Sequence, residues 1–135
     1  MSQKNVEVVR RSYAAWNQRE FDQALELFDP EIEWTFAGGA QVPGADATYH
    51  GHGAVRHFWE TFIEPWAQIN IEVEEIRSIG DLAVALVRFQ ATGRGSGVEL
   101  DVPFVHLFSF RGSKVIRFQA FADRNAAFEA AGLGE

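Results

Sequence analysis

From Ile69 to Phe121 the chain is written as four strands in succession, and that run limits what the rest of it can do. Ile69, Ile71 and Val73 alternate with Asn70, Glu72 and Glu74, the period of two that a half-buried strand requires. The phase then slips, because Ile76 and Ser78 fall on the other parity, and this predicts a bulge near Glu74 and Glu75. Gly80 and Asp81 turn the chain. Residues 82–92 are apolar almost throughout, as in a central strand covered on both faces. A glycine-rich turn over 93–97 leads to a strand over 98–110, and Gly112–Ser113 leads to a last one over 115–121. Consecutive strands joined by short turns predict an antiparallel sheet.

The segments before this run are helical. Val6, Val9, Tyr13 and Trp16 recur at helical spacing within residues 2–17. A second short helix holds Phe21, Ala24, Leu25 and Phe28 and is expected to stop at Asp29–Pro30, since the residue before a proline avoids the helical region. Residues 31–36 alternate as a strand, with Ile32, Trp34 and Phe36 on one face. Residues 37–53 are rich in glycine and read as one long loop of the kind that serves as a lid or binding loop. Val55, Phe58, Trp59, Phe62 and Ile63 mark an amphipathic helix ended by Pro65, and Asp123 opens a short helix that runs to Gly132. Early helices must cover one face of the later sheet. The expected fold is therefore α+β, a curved antiparallel sheet wrapped on N-terminal helices, cone-shaped with an internal pocket, and one domain over residues 1–135.

Composition narrows the function. With no cysteine, disulfides, thiolate metal sites and cysteine nucleophiles are excluded. The net charge is −7 and Arg10–Arg11 is the one adjacent basic pair, so neither nucleic acid nor an anionic membrane is an expected partner. The first residues do not read as a signal peptide, no apolar run approaches the roughly 20 residues of a membrane span, and a cytoplasmic location is expected. Twelve phenylalanines and four tryptophans either fill a core or line a pocket.

The stretches Tyr13-Ala14-Ala15-Trp16-Asn17, Phe21 to Pro30, Tyr49-His50-Gly51-His52-Gly53-Ala54-Val55 and Val105-His106-Leu107-Phe108-Ser109-Phe110 with Lys114 resemble the nuclear transport factor 2-like superfamily and its SnoaL-like domains. Relatives there include ketosteroid isomerases, SnoaL-type polyketide cyclases and many non-enzymatic domains. The resemblance covers nearly the whole chain. By position, it places the isomerase base on Phe36, the hydroxyl donor on Ser12 with Tyr13 beside it, and the acid on His106. The aspartate base of the cyclases falls on Ala120, with Asp123 three residues later. The resemblance implies an isomerase, cyclase or dehydratase acting by proton transfer on a small apolar or aromatic carbonyl compound, or a non-catalytic ligand-binding or association domain.

The residues themselves support several candidates. His106 shares a strand face with Leu100, Val102, Phe104, Phe108 and Phe110. Among phenyl rings an imidazole is biased toward neutrality, which suits a general base or a ligand hydrogen bond; it reads equally as a core histidine satisfied by a carbonyl or a tyrosine. Asp123 reads as a helix N-cap, or else as a partner for His106 or a base at the pocket floor. Ser12, Tyr13 and Tyr49 are candidate hydroxyl contacts, and Trp16, Trp34, Phe36, Phe58, Phe89, Phe104 and Phe118 are candidate pocket walls. His50, His52 and His57 with Glu60 lack the fixed geometry of a metal site, so no metal is expected, and without a glycine fingerprint after a strand no cofactor is implied. Val84, Leu86, Val105 and Leu107 are apolar on the opposite, outward parity. They predict a homodimer there, with Arg88 in an interface salt bridge.

Overall fold

Val9, Tyr13 and Trp16 bury one side of the first helix, α1 (Ser2–Asn17), as their spacing predicts. This is a computed structural model that describes residues 2–37, 48–122, 125, 127 and 128 of the chain, with the backbone alone for Ser2, Phe36 and Ala37. The elements that follow are α2 (Phe21–Glu26), β1 (Phe28–Ala37), β2 (Thr48–His50), α3 (Gly51–Ile63), β3 (Trp66–Ile79), β4 (Leu82–Gly93), β5 (Glu99–Arg111) and β6 (Lys114–Phe121). They form N-terminal helices against a curved, unclosed six-stranded sheet in the order β2-β1-β6-β5-β4-β3. Among the described residues no helix is long and apolar enough to cross a membrane.

The run of four strands folds as its pattern dictates. β3, β4, β5 and β6 pair antiparallel in sequence. The register of β3 on β4 shifts between Val73 and Glu75, the expected bulge, so Ile71, Val73 and Ile76 all pack on the core. Two expectations need correction. Phe28 does not close the second helix; it begins β1, and Pro30 lies inside that strand. Proline is tolerated because the pairing of β1 with β6 is irregular between Phe28 and Glu33, where no ladder N–H is demanded. The sheet is also not wholly antiparallel, since β1 joins β6 in parallel, with Trp34 opposite Phe118.

The expected loop over 37–53 is shorter than its composition suggests. Residues 38–47 lie outside the described residues, but Thr48–His50 pairs with β1 and α3 already starts at Gly51. Gly51 has φ +83°, a left-handed conformation that glycine adopts without a Cβ clash and that lets the strand break directly into the helix.

At the open edge of the sheet, the Asn17 side chain pairs with β3 as a strand would. Its Nδ2 donates to the Ile71 carbonyl at 3.0 Å, and the Ile71 N–H donates to Oδ1 at 2.9 Å. Arg19 donates to the neighbouring Ile69 carbonyl at 3.0 Å.

The outward face also departs from expectation. Val84, Val105 and Leu107 are 2–3% exposed, in a second apolar cluster with Phe121 and Ala127, against which Leu86 and Phe128 pack. Ala127 and Phe128 pack in this cluster, so the chain covers part of that surface itself. Arg88 pairs with Asp101 on the neighbouring strand, Nε to Oδ1 at 2.7 Å.

Candidate functional site

Between α1, α3 and the concave face of the sheet lies a cavity of about 560 Å³. Its walls follow from strand alternation. On β5, Leu100, Val102, Phe104, His106 and Phe108 all face it, the parity expected from the sequence. Trp34 and Phe118, opposite each other on β1 and β6, line one side. Ser12, Tyr13 and Trp16 enter from α1, Phe58 from α3 and Phe89 from β4.

One candidate falls elsewhere. Tyr49 does not line the cavity; its ring stacks behind Phe58 at 4.6 Å between centroids. The side chain of Phe36 and the whole of Asp123 lie outside the described residues. Trp59, Phe62 and Trp66 line the cavity but were not singled out from the sequence. The missing signal was available for two of them: Trp59 and Phe62 share the apolar stripe of α3 with Phe58, and all four tryptophans of the chain reach this one cavity.

The polar chemistry is concentrated at one pair. The Tyr13 hydroxyl and His106 Nδ1 are 2.6 Å apart, both residues buried, 93 positions apart in sequence. The rings lie 18° from parallel with centroids 5.8 Å apart. Burial lowers the His106 pKa from 6.5 to about 3, so the imidazole is neutral near pH 7. Burial also pushes the Tyr13 phenol well above its ordinary value of 10.0. Among the described residues neither group has a charged neighbour to offset desolvation, and none lining the cavity is a carboxylate, lysine or arginine.

Ser12 is less available than its position implies. Its hydroxyl donates to the Val9 carbonyl at 2.8 Å, so the proton expected for a ligand is already engaged. Ala120, where the cyclase base falls by position, pairs directly opposite His106 and presents a methyl group to the cavity. The loop histidines do not converge. His50 meets Glu33 at 3.2 Å on the surface, His52 Nε2 donates to the Phe28 carbonyl at 2.9 Å, His57 is exposed, and Glu60 pairs with Arg56.

A cone of helices and bent sheet around such a cavity has counterparts. The sequence profile of the SnoaL-like domain matches residues 9–118. The chain belongs to the SnoaL-like domain family. Solved structures of the nuclear transport factor 2-like type share the fold. A protein of unknown function from Burkholderia pseudomallei is 24% identical, with 93% of this chain and 95% of that one covered and a TM-score of 0.79. TerC, crystallised with polyporic acid, is 23% identical over 93% of this chain and 96% of its own, with a TM-score of 0.78. Bal32a, from a soil-derived mobile gene cassette, is 25% identical over 88% of each chain, with a TM-score of 0.77. A comparison with curated proteins gives no match. As a SnoaL-like domain the chain has a fold suited to binding small molecules, and its own residues must supply the specificity.

Proposed function

We propose that this SnoaL-like domain binds a small, neutral, apolar or aromatic carbonyl compound, with the carbonyl oxygen at the Tyr13–His106 pair. The observation that carries the reading is the contrast within the cavity: aromatic walls on every side and one neutral hydrogen-bonded pair among them. Aromatic walls supply affinity through area removed from water, and a single polar group supplies orientation. A charged ligand would leave water for a cavity whose described lining offers no counter-ion, at a cost that such contacts do not offset. The co-crystal of TerC with polyporic acid shows that this fold accommodates an organic molecule in that protein. Equilibrium dialysis tests the reading: benzophenone should bind, and diphenylacetate and benzhydrylamine, its anionic and cationic counterparts, should bind at least about ten-fold more weakly. Equal retention of all three would overturn it.

A second reading, an isomerase, cyclase or dehydratase acting by proton transfer, draws support from His106. A neutral imidazole in a dry cavity can polarise a carbonyl and stabilise the enolate that forms on proton removal. Asp123, the candidate base, lies outside the described residues. With any substrate that turns over, His106→Phe should lower kcat about 100-fold or more. Unchanged turnover would leave binding as the whole function.

A further inference from the structure

The proton between the Tyr13 hydroxyl and His106 Nδ1, 2.6 Å apart, has two possible owners. If Nδ1 donated, the buried phenol would have to place its own proton elsewhere, and among the described residues Tyr13 has no other hydrogen bond. With the phenol as donor, Nδ1 is the acceptor. A neutral imidazole carries one ring proton, and with Nδ1 accepting, that proton is on Nε2. Among the described residues no hydrogen bond reaches Nε2.

The surroundings hold this arrangement in place. Tyr13 is wedged edge-on against Phe108, with ring centroids 5.8 Å apart, and stacks along His106. His106 is flanked by Phe104 and meets the Phe118 ring at 4.7 Å. Among the described residues the indole nitrogens of Trp34 and Trp59 have no partner, but they are occluded.

We propose that Tyr13 is a positioning residue that fixes His106 as its Nε2–H tautomer, so that the cavity selects hydrogen-bond acceptors, ketone or quinone oxygens, over hydrocarbons of the same shape. This rests on the ligand reading above and adds to it a selection rule and a second residue. Removing the phenolic hydroxyl leaves Nδ1 without its donor. The proton then redistributes between the two nitrogens and the donor aimed at the ligand is lost for part of the population. The aromatic walls, and hence the binding of a hydrocarbon, are untouched.

Two measurements on the full chain test this. In a long-range proton–nitrogen correlation spectrum of the histidine-labelled protein near neutral pH, His106 should show a protonated Nε2 and a bare Nδ1. In equilibrium dialysis, benzophenone should be held about five- to ten-fold more tightly than diphenylmethane, the scale of one net hydrogen bond. That ratio should fall towards one in both Tyr13→Phe and His106→Phe. A protonated Nδ1 in the unmutated protein, or a ketone preference that survives Tyr13→Phe, would overturn the proposal. Should neither probe bind, the ligand reading itself fails, and the spectrum still upholds or overturns the tautomer. If Tyr13→Phe does not fold, the spectrum of the unmutated chain and the His106→Phe ratio decide.

Discussion

Trp34 and Phe118 stack face to face across the parallel pairing of β1 and β6, their ring centroids 3.6 Å apart and their planes 11° apart. Phe118 also packs edge-on to Phe108 and against His106, so one side chain joins the sheet wall to the polar pair. Phe118→Ala removes a ring that is 2% exposed and leaves a void between three aromatic neighbours. Urea denaturation should show a loss of about 3–5 kcal/mol, the cost of a buried phenylalanine truncated to alanine. A loss below about 1 kcal/mol would mean that the wall closes over the gap.

The burial of His106 makes an acid-stability prediction with a definite sign. Its folded pKa, about 3, lies below the ordinary 6.5, so between those values the unfolded chain binds a proton that the folded one refuses. Stability must then fall as pH drops from 6.5 towards 3, with a slope that approaches about 1.4 kcal/mol per pH unit from this group alone. Above pH 6.5 the imidazole is neutral in both states and contributes no slope. Denaturation of the unmutated protein and of His106→Phe at matched pH should give stabilities that diverge only on the acid side. Parallel curves down to pH 4 would show that the ring is protonated inside the fold.

Ser12→Ala should leave ligand affinity within about two-fold. Its hydroxyl proton is held by Val9, and the loss amounts to one hydrogen bond inside α1, about 0.5–1.5 kcal/mol of stability. A drop in benzophenone affinity of ten-fold or more would show that the serine turns to face the ligand.

Asn17→Ala removes both hydrogen bonds to Ile71, at about 1–3 kcal/mol. It also frees strand positions on the β3 edge, and an open edge is a template for another chain. Light scattering on heating should therefore rise earlier than the lost stability alone accounts for. Asn17→Asp retains the acceptor and should fall between the two.

What could be read from the sequence follows the range over which each interaction acts. Alternation along β5 placed Phe104, His106 and Phe108 on the concave face, and the phase slip located the bulge after Val73, because both are local. Phe28 was misplaced because Asp29–Pro30 carries the same local signature whether it ends a helix or opens an irregular strand. The partner of β1 is more than 80 residues away, and no period announces a parallel neighbour. The outward face is ambiguous for a related reason: Val84 and Leu107 are apolar whether a second subunit or the chain's own Ala127 and Phe128 pack on them. Tyr13 and His106 were each recognisable as candidates. That they touch depends on how α1 crosses the sheet, which neither segment encodes alone.

The parallel join between β1 and β6 also sets when the cavity can exist. The strands β3 to β6 pair with immediate neighbours in sequence, but Trp34 must wait for Phe118, a partner far later in the chain. Closing so long a loop is slow relative to forming hairpins. Until it closes, the aromatic side chains that later wall the cavity face water, and the nascent chain is at its most adhesive. The order of synthesis thus works against this fold, and the cavity is finished only once β6 has emerged to meet β1.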